Sequence, residues 1–154
     1  MSVLRPMHVA AEINPVIFAE VVKDLELHDP PTFTTNGSSS LNHRVTEKGV
    51  ILRGTYDAVR NHVILYTQSE NEERTPSTLL RMQLQFTMLH ELRHAWQREH
   101  WDAAMKRKMS WGKYEERGEE RDANEYAEAH RSLYPRLITV KVTPLGKTKS
   151  RLPG

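Results

Sequence analysis

The chain contains no cysteine in its 154 residues, which excludes disulfides, zinc ribbons and thiol nucleophiles. No apolar run approaches the roughly 20 residues of a membrane-spanning helix. No basic segment followed by a long apolar stretch opens the sequence, so a secretory leader is not expected; the expected location is the cytoplasm, or the host cytoplasm for a viral or phage gene. Neither sign of charge dominates, since 22 Lys and Arg stand against 20 Asp and Glu, and a net +2 is too weak to argue for nucleic acid. A hydrophobic content of 38% over this length fits one modest core and hence a single domain.

Asn14-Pro15 reads as a helix start, with Ile17, Phe18, Val21, Val22 and Leu25 on one face before Asp29-Pro30-Pro31. Residues 32–42, with Gly37 and the serines at 38–40, read as a loop without a catalytic serine. Val50-Ile51-Leu52 and Val63-Ile64-Leu65-Tyr66 read as an antiparallel pair joined through residues 57–61. An edge strand of that kind offers free backbone groups to an extended peptide. Thr75-Pro76 predicts the next helix start, with Thr75 as cap and Pro76 in the first turn. That helix runs to about Trp101 and turns Leu80, Leu84, Met88, Leu89, Leu92 and Trp96 toward the core. Lys106-Arg107-Lys108 reads as a solvated turn, and residues 110–118, with Trp111 and Tyr114, as the rim of a cleft. Pro135 closes the last helix and Leu137-Ile138-Thr139-Val140 predicts a strand. No acidic residue follows Glu128, so residues 143–154 read as a flexible basic tail, whose functional alternative is contact with nucleic acid or an acidic partner.

His90-Glu91-Leu92-Arg93-His94 carries the most chemistry. At 3.6 residues per turn the two histidines stack on one helix face and can present imidazoles to one ion, while Glu91, about 100° away, lies beside that ion as a base. Catalytic zinc takes three protein ligands as a rule. Two candidates for the third follow in the chain. His100 has metzincin spacing, but Gln97 occupies the position where those enzymes need a turning glycine; on a continuing helix His100 lies roughly 9 Å along the axis from His94. Glu120 begins Glu120-Arg121-Asp122-Ala123-Asn124-Glu125-Tyr126-Ala127, in which Glu120, Asn124 and Ala127 share a face and the alanines permit close helix approach.

The two motifs together resemble those of gluzincin metallopeptidases, in particular the ImmA/IrrE-like family, over about residues 45–130. The resemblance implies one zinc held by His90, His94 and Glu120, Glu91 as general base, Asn124 steadying a ligand imidazole, and an edge strand beside the cleft. It also implies an α+β, zincin-like domain over residues 1–134, comprising an N-terminal helix, a small antiparallel sheet, the motif helix and a second helix with the glutamate, followed by strand and tail over 135–154. Many relatives carry glycine and phenylalanine where this chain has Arg93 and Tyr126, which alters the expected shape of the cleft. The implied activity is hydrolysis of a protein or peptide substrate, such as a DNA-bound regulator, by zinc-bound water. Tyr114, Tyr126, His130 and Arg93 are the candidates for stabilising the oxyanion. The rival reading is a non-proteolytic binding protein that keeps the zincin frame with structural zinc.

Overall fold

A computed structural model describes residues 7–36, 44–45, 51–67, 75–113 and 117–144, and their fold is α+β. Strand β1 (Met7–Ile13), not expected from the sequence, pairs antiparallel with β7 (Ile138–Pro144), from Met7 opposite Pro144 to Ile13 opposite Ile138. Alternate residues Val9, Ala11 and Ile13 pack against the core, as the period of a strand dictates. The C-terminal strand thus extends through Thr143 and Pro144, two residues that the sequence placed in a tail.

Helix α1 (Pro15–Asp24) starts as expected: the Asn14 side chain accepts from the amides of Val16 and Ile17, and Pro15 needs no donor in the first turn. Its Val21 and the following Leu25 are buried. Residues 32–36, expected as loop, form β2 (Thr32–Asn36), parallel to β6 (His62–Tyr66). Thr32 and Thr34, two apart and so on one face, bond the His62 ring at 2.6 and 2.9 Å, while Phe33 on the other face meets Phe18 edge-on. The antiparallel partner of β6 is β5 (Gly54–Asp57), whereas β4 (Ile51–Leu52) pairs with β3 (Arg44–Val45). Val50 lies outside the described residues. The three-stranded sheet is therefore mixed, in the order β2-β6-β5, with β5 at its edge.

Helix α2 (Ser77–His100) runs unbroken for 24 residues. Pro76 stands one position before the helix with extended backbone, and no side chain caps the start. Leu80, Leu84, Met88, Leu89, Leu92 and Ala95 are buried along α2, against β5 and β6 of the sheet, β7 and helix α4 (Gly118–His130). Gly54 lets β5 approach α2, because a Cβ there would lie 2.6 Å from Thr87 Cγ2 and 2.9 Å from the Ile64 carbonyl. Between α2 and α4, Lys106-Arg107-Lys108 forms the last turn of helix α3 (Ala103–Met109), capped by Asp102, where basic side chains suit the negative end of the helix dipole. Among the described residues, no helix is long and apolar enough to cross a membrane.

Candidate metal centre

His90 and His94, one turn apart on α2, set their rings perpendicular with Nε2 atoms 3.1 Å apart. Helix α4 brings Glu120 across both of them, its Oε1 3.0 Å from His90 Nε2 and its Oε2 3.1 Å from His94 Nε2. The approach is close because Ala123 and Ala127 present only methyl groups to the interface and are fully buried. Glu91 comes next, with Oε1 4.0 Å from His94 Nε2. His90, Glu91 and His94 form a group able to hold a metal ion, and Glu120 adds the carboxylate nearest to both rings.

All four groups are largely buried, so their charges are weakly screened and strongly interdependent. Burial works against a charged His94 ring, but the hydrogen bond to Glu120, the charges of Glu91 and Glu120 and a bond to Gln97 outweigh it and raise the ring to about 9. Burial likewise pushes Glu120 up, and the bonds and charges of the two histidines reverse this, holding the carboxyl at about 2. Glu91 goes the other way: its burial is complete enough to raise the carboxyl despite the histidines, with Glu120 adding repulsion. Two neighbouring carboxyls thus differ in proton affinity by environment alone.

The remaining expected residues are dispersed. Asn124 is exposed beside Phe86 and Glu128, because it lies about 100° round α4 from the inward-facing Ala123. The partner of His94 Nδ1 is instead Gln97 Oε1, at 2.8 Å. Arg93 forms a two-bond pair with Asp122 and lies 3.6 Å above the Trp96 ring. With Tyr126 and His130 it lines a separate hollow, where the Tyr126 hydroxyl donates to Asp24 and the His130 ring stacks on Tyr126. Tyr114 lies outside the described residues. His100 is exposed at the end of α2, with Nδ1 bonded to the Trp96 carbonyl.

Beside this cluster of imidazoles and carboxylates opens a cleft of about 370 Å³, bordered by Glu91, His94 and Glu120 and by Gly54, Thr55 and Tyr56 of the edge strand. Tyr56 donates to Asn61 at 2.7 Å, and burial foremost raises its hydroxyl to about 12, so it remains a donor at neutral pH. Sequence reasoning missed both Tyr56 and Gln97. Gln97 carries a usable signal, since it follows His94 by three positions on the same helix; nothing in the sequence marks Tyr56. Compared with known protein families, curated proteins and solved structures, the chain matches none.

Proposed function

We propose that the chain is a zinc-dependent metallopeptidase of the gluzincin type that hydrolyses peptide bonds of a specific protein substrate, such as a regulator. The convergence of two imidazole nitrogens and one carboxylate, 3.0 to 3.1 Å from one another, carries this reading. Ligand atoms at about 2.0 to 2.1 Å from a tetrahedral zinc stand about 3.3 Å apart, so His90, His94 and Glu120 need to spread only slightly to hold it. Bound there, zinc would act as a Lewis acid on the scissile carbonyl and acidify a water.

The chain's own groups supply the rest. Glu91 Oε1, buried and of raised proton affinity, is suited to take a proton from the attacking water and return it to the leaving nitrogen. Among the described residues strand β5 pairs only with β6 in its sheet, and it borders the cleft, so an extended peptide laid along its other edge would gain backbone hydrogen bonds. That mode of recognition favours a peptide backbone over other hydrolysable groups.

Elemental analysis should find one zinc per chain. Glu91→Gln should retain that zinc while cleavage of cellular proteins, compared by mass spectrometry with a chelator control, falls by about 10² to 10⁴. Equal fragments from wild type and variant would remove Glu91 as the base. A zinc-loaded wild type that binds partners but yields no fragments would favour the non-proteolytic binding protein.

A further inference from the structure

Gln97 is 5% exposed, and each polar atom of its side chain has a short, chemically defined contact. Its amide nitrogen donates to the Glu119 carbonyl at 2.8 Å and to Asp122 Oδ2 at 2.9 Å. Both partners accept only, so the NH₂ end of the amide must face them and the carbonyl end must face His94 Nδ1. A carbonyl also accepts only. At 2.8 Å, His94 Nδ1 must therefore carry a proton, so when the ring gives up one proton to become neutral it is Nε2 that is bared, its lone pair directed at Glu120 and His90.

We propose that Gln97 is the positioning residue of the metal site: it fixes His94 in the Nδ1–H form with Nε2 free for the ion, and through the Glu119 carbonyl it holds the turn of α4 that carries Glu120. The inference rests on the ligand set of the metallopeptidase reading. It gives a reason for an amide at this position, because Asp122 is already fixed as an anion by the two bonds from Arg93. A carboxylate in place of Gln97 would set two anions 2.9 Å apart, whereas a neutral amide accepts from His94 and donates to Asp122 at once. Arg93, in turn, is steadied by the Trp96 face beneath it. The pair Arg93 and Asp122 thus buttresses Gln97, which buttresses two of the three converging groups.

The test uses the full chain loaded with zinc, long-range proton–nitrogen NMR of the His94 ring, and chelator competition. Wild type should show zinc on Nε2 and a slowly exchanging proton on Nδ1. Gln97→Met, which keeps length and volume but neither accepts nor donates strongly, should weaken zinc binding about 10- to 100-fold and speed exchange of the Nδ1 proton. Zinc on Nδ1, or a Gln97→Met protein with wild-type affinity and exchange, overturns the proposal. Should the variant fail to fold, the wild-type spectrum still decides. A wild type that takes up no zinc would defeat the ligand set itself. The metal-free ring, read at a pH high enough to leave it neutral, would then separate the two failures: Nδ1–H upholds the placement of His94 by Gln97, and Nε2–H refutes it.

Discussion

One carboxylate at the end of α2 fastens a distant turn of the chain. Glu99 accepts from the backbone amides of His28 and Asp29 at 2.8 and 3.0 Å. Burial pushes its carboxyl up, but the two amides, with His28 and His100, hold it below the ordinary value. An unfolded glutamate titrates near about 4.3. A lowered folded value means that the contribution is fully present above that pH and is lost as pH falls through the folded value. Glu99→Gln should therefore be less stable than wild type at neutral pH, and the gap should narrow as the solution is acidified. Paired urea titrations at the two pH values measure it, and a constant gap would assign the effect to packing. At this same scale the motif residues were legible because a fixed helical period relates His90, Glu91 and His94. The choice between Asn124 and Gln97 was not, although Gln97 stands three positions after His94: ruling out Asn124 requires the rotation of α4 about its axis relative to α2, and that is set by burial of Ala123, Tyr126 and Ala127.

Among the elements, β5 is constrained by a backbone neighbour. The contacts that a Cβ at Gly54 would make include the Ile64 carbonyl, which belongs to the backbone of β6 and cannot rotate away. Gly54→Ala should cost about 1 to 3 kcal/mol, as overpacked sites do, and should push the edge strand away from α2. Adding Thr87→Ser removes the other clash and should recover part of the loss in thermal melts; no recovery would mean that the carbonyl contact dominates. Helix α1 was legible from its cap, Asn14, and apolar period, whereas α2 was legible from apolar period alone, since no side chain caps its start. Strand β2 was obscured by the Gly-Ser stretch that follows it, and its parallel pairing with β6 joins segments that no local pattern relates. Strand β1 is seven residues of modest hydrophobicity and acquires its conformation from β7.

For the whole molecule, that pairing closes the fold. Among the described residues strand β1 has β7 as its one neighbour in the sheet, and Leu137 and Ile138, at the start of β7, are 0% and 1% exposed. A chain ended after Arg136 loses both buried side chains, each worth about 2 to 5 kcal/mol on truncation studies, and leaves β1 unpaired. Its cooperative melt by circular dichroism should disappear or shift far down; a chain that melts like wild type would mean that β1 and β7 are accessory. The register has a further consequence in time. Met7 faces Pro144, so β1 leaves the ribosome well before the strand it pairs with. At about 5 to 20 residues per second, the ribosome leaves β1 without its partner for on the order of ten seconds, during which its unpaired edge is open to other nascent chains.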